Sequence, residues 1–567
     1  MAKKYDWNLS TTVFLTLLLT FFGAFLFYPV SFMLKGAFFA DDRFSLKYFL
    51  LLLESPLQRE SLFNSFAIAF LTTALTTLLA LPLAHWMTRF DFRGKALLSG
   101  LLLVPMIMPP FVGAIGLSQL LARFGSLNLL LMQLGLLPPD RPIDWLGHGG
   151  FWGIVVLQVM NLYPIMFLNV SAAMANVDPS LREAAQNLGA GGWRLFRTVT
   201  MPLILPGYFA GAVIVFIWAF TDLGTPLIFG FSRVVPVQIF DAVNEINTNP
   251  TGYALTVLVL VLTLALFLVS KRTLAGRRYE MMARGHTAGA ERRAGRRQSV
   301  GIWVAMLAVI GLALLPHLAV IVDSFARHWF FSVLPREWTT QNYSEVFGHG
   351  LTASSIRNSL IYSTLSALLD LCLGVMIAWL LTRKRIPFAG WLDALAMLPL
   401  ALPGLVLAFG FVAGFDVKIH WLNPRENPTV LLVVSYSVRR LPYIVRSAYA
   451  GFQQTSVTLE EASANLGASP FRTLRKITLP LVMANLIAGT ILTFSFAMLE
   501  VSDGLILAMR EQFFPVTKMI WQLMGRIDPD APGVACALGV VGMAILSVSL
   551  LVAGKILGRK MGQLFRA

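Results

Sequence analysis

Apolar residues run along this chain in long stretches that are separated by short polar segments. A helix needs about 20 mostly apolar residues to cross a bilayer, because the hydrocarbon core contains no water to satisfy backbone groups. The stretches that are long enough lie near residues 10–34, 62–87, 96–120, 151–175, 203–229, 253–270, 300–322, 356–381, 391–414, 429–450, 481–507 and 533–555. The pattern predicts an all-α polytopic membrane protein with about 12 transmembrane helices in two pseudo-symmetric six-helix halves.

The composition agrees with a chain that lies mainly in a bilayer. Hydrophobic residues make up 56% of the chain and charged residues 13%, with a mean hydropathy of +0.70. Both cysteines, Cys372 and Cys536, fall inside apolar stretches, which excludes a disulfide framework and a thiolate metal site. The first apolar stretch follows Lys3 and Lys4, as in a signal sequence, but no small-residue cleavage site comes after it. We therefore expect a retained helix.

Basic residues are distributed among the loops in a way that sets the orientation. Cytoplasmic loops of membrane proteins are enriched in Lys and Arg. If the N-terminus is cytoplasmic, the inside segments are residues 271–297, the C-terminal tail, and loops with Arg89, Arg93, Lys95, Arg182, Arg194, Arg197, Arg383, Lys384, Arg385, Arg472, Arg475 and Lys476. This bias predicts that both termini are cytoplasmic. It also explains the net charge of +16 through anionic membrane lipid, without nucleic acid as a partner.

One polar segment occurs twice, as EAAQNLGAGGWRLFRTVTMPL from Glu183 and EASANLGASPFRTLRKITLPL from Glu461. Other positions recur in the same order: Thr88 and Thr382, Pro105 and Pro399, Pro109 and Pro403, Gly116 and Gly410, Pro164 and Pro442. The mid-span prolines predict either hinges or simple kinks. An even number of predicted spans separates equivalent positions, so the repeat is parallel, with a pseudo-twofold axis along the membrane normal. We predict membrane domains at residues 1–270 and 299–567, joined by a flexible basic cytoplasmic linker at 271–298.

The two repeated loops, near residues 178–202 and 456–480, each predict a short helix on the cytoplasmic face. Ser180 and Thr458 stand three residues before the glutamates, as in a capping box, while Gly189 and Gly467 favour a left-handed helix end. A two-turn helix is marginal in water unless it packs on something. It could lie on lipid headgroups, cap its own bundle, or dock on a partner. Two copies in a pseudo-symmetric bundle favour a twofold-symmetric partner.

These loops resemble the EAA motifs of the permeases of ABC importers, in which EAA, a glycine and a terminal LP recur. The resemblance covers nearly the whole chain and implies the type I importer permease fold in a bacterial inner membrane. It also implies two copies of an ATP-binding subunit docked on the loops, and a periplasmic binding protein that delivers the substrate. The implied docking residues are Glu183, Ala184, Ala185, Gly189, Glu461, Ala462, Ser463 and Gly467, of which Ser463 departs from the EAA pattern.

Three further segments resemble the fused permeases of ferric iron uptake systems, which are related to the permeases for thiamine, polyamines and phosphonates. They are TDLGTPLIFG from Thr221, RRLPYIVRS from Arg439 and LEVSDGLILA from Leu499. The resemblance implies ferric iron as the substrate. Phosphonate, thiamine and polyamine remain alternatives.

The chain contains no ATP-hydrolysing motif of its own. Lys95 and Lys555 each follow a glycine but precede Ala and Ile, so the phosphate-binding loop pattern is missing. The seven histidines form no metal-enzyme signature, and no nucleophile elbow occurs. We predict a permease that is not an enzyme and holds no cofactor, with ATP and Mg²⁺ bound by the partner ATPase. A secondary transporter is the alternative, although it would not need two docking helices.

Two arginines inside a predicted span are candidates for the substrate path, because a charge in the bilayer is costly. Arg439 and Arg440 lie about ten residues into the tenth span, close to mid-membrane. Tyr436, Tyr443 and Arg446 share the helical face of Arg439, which would present cationic and phenolic groups to a cavity. Alternatively, the arginines pair with a neighbouring acid or extend to the interface. Their first-half equivalents, Asn161 and Leu162, make any arginine site asymmetric.

Acidic residues form a second group of candidates. Asp222 and Glu500 occupy matching positions in the two halves, which we expect toward the outer face, and Asp503 follows one turn later. They would attract a cation such as ferric ion, whereas the arginines would suit an anion or an iron complexed by an anion. Structural pairing with arginines or helix ends is the alternative. No metal-ligand set is predicted, and His85 and His317 are expected to pack at the ends of spans.

Overall fold

The computed structural model describes residues 9–40, 43–147, 149–246, 248–275, 292–415 and 419–557. Helices account for nearly all of its regular structure, as the long apolar stretches predict. Within these ranges the strands form two ribbons of two residues a strand. β1 (Phe39–Ala40) pairs antiparallel with β2 (Arg43–Phe44), and β3 (Phe90–Asp91) pairs parallel with β4 (Arg292–Arg293).

The first half begins with helices that continue through short π-helical turns. Such turns at Gly23–Phe27 and Phe196–Thr200 join α1 to α2 and α11 to α12. The helices are α1 (Leu9–Phe22), α2 (Tyr28–Phe38), α3 (Lys47–Glu54), α4 (Pro56–Arg89), α5 (Lys95–Leu101), α6 (Val104–Ile107), α7 (Pro110–Leu121), α8 (Ser126–Gln133), α9 (Phe151–Ala175), α10 (Pro179–Asn187), α11 (Gly192–Leu195), α12 (Met201–Thr221), α13 (Gly224–Phe229), α14 (Val235–Ala242) and α15 (Thr251–Ala275).

The second half repeats this order. Its π-helical turn at Leu474–Thr478 again joins a short helix to a long one, and single 3₁₀ turns lie at Leu398–Ala401, His420–Leu422 and Glu511–Phe513. The helices are α16 (Arg296–Ser324), α17 (Gln341–Gly348), α18 (Gly350–Arg383), α19 (Ala389–Met397), α20 (Gly404–Gly414), α21 (Thr429–Gln454), α22 (Val457–Asn465), α23 (Pro470–Thr473), α24 (Leu479–Met498), α25 (Ser502–Leu507), α26 (Val516–Met524) and α27 (Ala531–Leu557).

Ten helices within the described ranges are long and apolar enough to cross a membrane, and the bent pair Ala389–Ala401 and Gly404–Gly414 is an eleventh candidate. The helix α21, predicted as the tenth span, is 26 residues long but less apolar, because it carries Arg439, Arg440 and Arg446. It packs against α18 and α24, and most of its residues are buried. The apolar spans and this interior helix together account for the twelve predicted segments.

Prolines interrupt the same span in both halves. The predicted span at residues 96–120 is not one helix, because Met108 is extended and α7 begins at Pro110. In the second half Leu402 is extended, and the two helical pieces meet at 99°. Proline lacks an N–H and pushes the preceding residue toward an extended conformation. Pro109 and Pro403 therefore mark helix breaks rather than simple kinks.

Helices of one half pack directly against helices of the other where the two halves meet. Helix α16 of the second half packs on α7 of the first, and α2 of the first half packs on α20 of the second. A methyl group added at Gly116 would overlap the carbonyl oxygen of Pro316, and one added at Gly410 would press on Pro29. The recurrence of these two glycines is explained by the close approach of one half to the other.

Most of the predicted linker, residues 276–291, lies outside the described ranges, as do Lys3, Lys4 and the C-terminal tail at 558–567. On its C-terminal side β4 lies beside β3, and the Ala294 N–H donates to the Asp91 carbonyl at 3.0 Å. Helix α16 begins at Arg296. Residues 296–298, assigned to the linker from the sequence, are therefore the first turn of a spanning helix.

Candidate substrate path and docking loops

A cavity of about 210 Å³, with a mainly apolar lining that contains several charged residues, lies between the two halves. Its first-half wall includes Gln158 and Asn161 of α9 and Asp222 after α12. Its second-half wall includes Arg439, Arg440 and Tyr443 of α21 and Glu500 after α24. The cavity thus brings the charged candidates of both halves to one place.

Each acid stands where a long helix stops. Helix α12 ends at Thr221 and α24 at Met498, and a short helix, α13 or α25, follows each break. Asp222 Oδ1 accepts a hydrogen bond from the Gly224 N–H at 3.1 Å, and Glu500 Oε1 accepts one from the Asp503 N–H at 3.3 Å. Each carboxylate therefore stands one residue before the N-cap of the short helix that follows it and accepts a hydrogen bond from the first turn of that helix.

The second-half wall is an ion-pair network. Arg439 Nη1 lies 2.5 Å from Glu500 Oε1 and 3.4 Å from Asp503 Oδ2. Arg440 pairs with the other oxygen of Glu500 and donates to the carbonyl of Phe496 at 3.0 Å. The side chains of Glu500 and Asp503 are 4% and 0% exposed, so pairing offsets the large cost of burying their charges. Arg439 and Arg440 therefore line the cavity and also pair with acids, so both roles considered from the sequence occur in the same residues.

The ion pairs correct two details of the sequence interpretation. Arg439 and Glu500 are in contact, so the acids lie at the same level as the arginines rather than closer to the outer face. The shared helical face is also narrower than predicted. Tyr436 is buried in the core. Arg446 lies outside the cavity and forms an ion pair with Asp393 at 3.2 Å.

The first-half wall carries an acid without an arginine. Asp222 Oδ2 accepts a hydrogen bond from Gln158 Nε2 at 3.2 Å, and the position of Arg439 is taken by Asn161. Two guanidinium groups therefore face three carboxylates across the whole site, which leaves one carboxylate in excess. Gln158 was missed from the sequence, although a buried amide in the apolar helix α9 is itself a signal.

The histidine expectations agree with the structure. His317 is buried against Gly113, and His85 packs edge-on against Phe90. Cys536 donates to Asp323 at 3.2 Å in the core. Over the part of the chain that the structure describes, no three His, Cys, Asp or Glu side chains form a group that could hold a metal ion.

The repeated loops form matching short helices, α10 and α22. Gly189 and Gly467 follow them with φ of +80° and +79°, as predicted for left-handed helix ends. The caps differ from the prediction by two residues. Asp178 and Ser456 accept the capping hydrogen bonds, at 2.9 Å and 3.3 Å, from the N–H groups of the two residues predicted as caps, Ser180 and Thr458. Each helix starts earlier because an Asx or Ser side chain stands directly before its first turn.

Both loops expose large apolar side chains at matching positions. Leu188 and Leu466 are 87% and 90% exposed. Leu181 and Leu459 are each 46% exposed. The docking residues that are accessible beside them are Glu183, Ala184, Gly189, Glu461, Ala462 and Gly467. Exposed apolar groups of this size are available for contact with a partner or with lipid headgroups.

The third position of the motif is where the two loops differ. Ala185 is half-buried, whereas Ser463 is buried and its hydroxyl lies 2.8 Å from the hydroxyl of Thr473. Ser463 therefore joins α22 to the following segment instead of facing solvent. The structure places the two loops alike in every other respect of helix length and glycine position.

Two helical halves that enclose a charged cavity and each carry a matching exposed loop define a membrane transport protein. Comparison with known families gives a match to the binding-protein-dependent transport system inner membrane component, at residues 57–278 and again at 371–563. The chain belongs to this family. It is a multi-pass inner-membrane permease of a transport system that works with a binding protein, which confirms the resemblance to ABC importer permeases.

Similar proteins over most of the length carry ferric transport names. The ferric transport system permease protein FbpB of Actinobacillus pleuropneumoniae is 26% identical over 542 residues, which cover 94% of this chain and 76% of that protein. The putative ferric transport system permease protein FbpB 1 of Haemophilus influenzae is 28% identical over 498 residues, covering 86% and 76%. A shorter match, to the molybdenum transport system permease protein ModB of Escherichia coli, is 30% identical over 210 residues and covers 35% of this chain and 85% of that protein.

Proposed function

We propose that this chain is the membrane-spanning permease of a ferric iron importer. The relatives that match over most of the chain are named as ferric transport permeases. The observation that carries the proposal is the charge of the site, in which Asp222 and Glu500 line the cavity and the buried Asp503 adds a third carboxylate beside Arg439, against two arginines. Ferric iron is a small, highly charged cation that favours oxygen ligands.

The arrangement of the ion pairs favours a cation over an anion. Both arginines are occupied by Glu500 and Asp503, so an anion would have to compete with buried carboxylates for them. Asp222 accepts hydrogen bonds from neutral donors such as Gln158 and the Gly224 N–H, and no ion pair of the described residues includes it, so its carboxylate is the group most open to a passing cation. A phosphonate or molybdate substrate would need the opposite arrangement.

A single accessible carboxylate suits passage better than storage. An ion on a transport path must be attracted strongly enough to enter and weakly enough to leave. A site with several fixed carboxylate ligands would hold ferric iron too tightly to release it. We infer that capture belongs to the periplasmic binding protein and that the cavity acts as a brief resting point.

Transport requires energy from another subunit, and α10 and α22 are the proposed docking points for two copies of an ATPase that binds ATP and Mg²⁺. The docking surface consists of Glu183 and Glu461 with the exposed leucines beside them. From the first loop, residues Gly192–Thr221 form one helical run of 30 residues, about 45 Å long, that ends next to Asp222. The run Leu474–Met498 similarly ends near Glu500. Movement of the docked loops would therefore be transmitted to the two cavity acids, with both chain termini on the cytoplasmic side.

Uptake of radiolabelled ferric iron tests the proposal. The chain is expressed with the ATPase and the periplasmic binding protein of a ferric transport system, in cells without another ferric uptake system. Molybdate, phosphonate, thiamine and a polyamine are tested as alternative substrates. We expect iron uptake that falls about tenfold or more in Asp222→Asn and is retained in Asp140→Asn, a matched change at an exposed position. Uptake of one of the other substrates in place of iron would overturn the proposal.

A further inference from the structure

The cytoplasmic ends of α4 and α18 carry arginines in the same register. Thr88 donates to the carbonyl of Ala84 at 2.8 Å, and Thr382 donates to that of Ala378 at 2.7 Å. Arg89 and Arg383 follow these threonines directly. The two arginines therefore leave matching helix ends and reach toward the docking helices α10 and α22.

In the second half this arginine is fully partnered. Arg383 Nε donates to Glu460 Oε1 of α22 at 3.0 Å, and Nη2 donates to the Thr455 carbonyl at 2.9 Å. Its guanidinium group also lies over the ring of Phe452, and its side chain is only 7% exposed. The ion pair connects the docking helix to the end of a spanning helix.

In the first half the matching pair is two arginines. The residue before the repeated glutamate is Glu460 in the second half but Arg182 in the first. The β3–β4 pairing adds Arg292, which lies opposite Phe90 and hence beside Arg89. Arg89, Arg182 and Arg292 form a three-arginine cluster in which Arg89 and Arg182 are half-buried.

The cluster is electrostatically unfavourable as it stands. Arg89 is repelled by Arg182 and Arg292, and Arg182 by Arg292. Burial, together with Arg292, lowers the pKa of Arg182. Among the residues that the structure describes, no carboxylate lies within ion-pair distance of the three guanidinium groups. Half-buried cations without a counter-ion indicate a site for an anion.

We propose that the three-arginine cluster binds a phosphate group beside the first docking loop. Guanidinium groups bind phosphate through paired N–H donors. The β3–β4 pairing and the matching Arg383–Glu460 contact of the second half place these three arginines at the same helix end. Arg89 is the last residue of a spanning helix, so the cluster lies at the level of the inner-leaflet headgroups, where phosphate is abundant. The bound phosphate would serve as the anionic partner of Arg89, as Glu460 of α22 does for Arg383. It would fasten the docking helix to the bundle, and would make the first loop responsive to phosphate-bearing ligands.

The pseudo-symmetry supplies the test, because each half contains the other's variant. Arg182→Glu recreates the Arg383–Glu460 pair in the first half, and Glu460→Arg recreates the arginine cluster in the second. The full chain, purified in phosphate-free detergent, is titrated with inorganic phosphate and with short-chain phosphatidylglycerol, with phosphatidylcholine as the zwitterionic reference. The thermal midpoint is the readout.

We expect anionic phosphate probes to raise the midpoint of the wild-type chain. Arg182→Glu should bind them at least about tenfold more weakly, since a charge-assisted pair is lost, while remaining as stable without ligand. The exposed change Arg292→Gln should weaken binding in the same direction, and its neighbour Arg293→Gln should not. Glu460→Arg should add a response. A wild-type response to phosphatidylglycerol alone identifies a lipid headgroup, and a response to inorganic phosphate shows that free phosphate suffices.

Two results would overturn the proposal. One is an equal response of wild type and Arg182→Glu to every phosphate probe, or none from either. The other is loss of ATPase copurification by Arg182→Glu without any phosphate effect, which would show that the missing anion is a carboxylate of the partner protein.

Discussion

The two halves have the same order of helices but differ in charge at two places, the cavity and the docking loops. At the cavity, Glu500 is paired with Arg439 and Arg440, whereas its counterpart Asp222 is hydrogen-bonded to the neutral Gln158. Both acids accept a hydrogen bond from the short helix that follows a broken span. The hydrogen bond from the following short helix is therefore the same at Asp222 and Glu500, while the charged groups around the two acids differ.

The docking loops show the same division. Helix length, the left-handed glycine and the exposed leucines match in α10 and α22. The residues that fasten the two helices to the bundle do not match, because Glu460 is replaced by Arg182. The difference fits the proposed function, in which the repeated positions would serve movement driven by a twofold-symmetric partner and the changed positions would serve substrate and ligand chemistry, which need not be symmetric.

The matched part of the comparison predicts the largest effect. Glu183→Lys combined with Glu461→Lys should abolish copurification of the ATPase and transport, because both docking helices then oppose the partner's surface with reversed charge. The matched control is Asn187→Lys with Asn465→Lys, which adds the same charge at exposed positions of the same helices. The measurement is ATPase recovery with the purified permease, with membrane insertion checked alongside. Full recovery from the glutamate variant would show that these loops do not dock it.

The paired wall of the cavity predicts a loss of stability. Replacing Arg439 and Arg440 by Gln leaves Glu500 and Asp503 buried without cations, which should lower the free energy of unfolding by about 3–5 kcal/mol. Adding Glu500→Gln and Asp503→Asn should restore most of it, because no unpaired charge then remains. Thermal melting of the purified variants compares the two. A stable arginine variant would mean that the ion pairs are not needed for folding.

The first-half wall, where Asp222 has no arginine partner, predicts a small effect on stability and a large effect on uptake. Asp222→Asn keeps the shape of the side chain and the oxygen that accepts from the Gly224 N–H, and loses only the acceptor of Gln158, so the thermal midpoint should fall only slightly. Iron uptake should fall about tenfold or more, since one charge-assisted contact of about 1.5 kcal/mol or more is lost at the path. Uptake and melting are measured on the same preparation. If stability fell and uptake per folded protein did not, Asp222 would have only a structural role.

The sequence predicted much of this comparison, because both its apolar stretches and its repeats are local patterns. Span positions, the glycine ends of α10 and α22, and the candidates Asp222, Arg439 and Glu500 follow from length, spacing and the cost of buried charge. At Pro109 the sequence predicts a hinge or a kink without deciding between them, since proline permits either outcome until the neighbouring packing is known. The Arg439–Glu500 contact could not be derived, because it joins helices whose relative depth the sequence does not fix. The three-arginine cluster could not be predicted for the same reason, since Arg292 is brought to the end of α4 only by the pairing of β3 with β4.

The smallest expected effect concerns the one departure within the repeated motif. Ser463→Ala should cost about 0.5–1.5 kcal/mol, because it leaves the buried hydroxyl of Thr473 without its partner. The first half already contains the apolar version of this contact, with Ala185 and Leu195 at the matching positions. The double change Ser463→Ala with Thr473→Leu should therefore recover the lost stability, as a coupled pair does in a double-mutant cycle. Hydrogen exchange of the α22 amides and recovery of the ATPase are measured for all three variants. Equal exchange in the single and double variants would show that the hydroxyl pair does not hold α22, whereas reduced docking in the double variant would show that Ser463 contacts the partner directly.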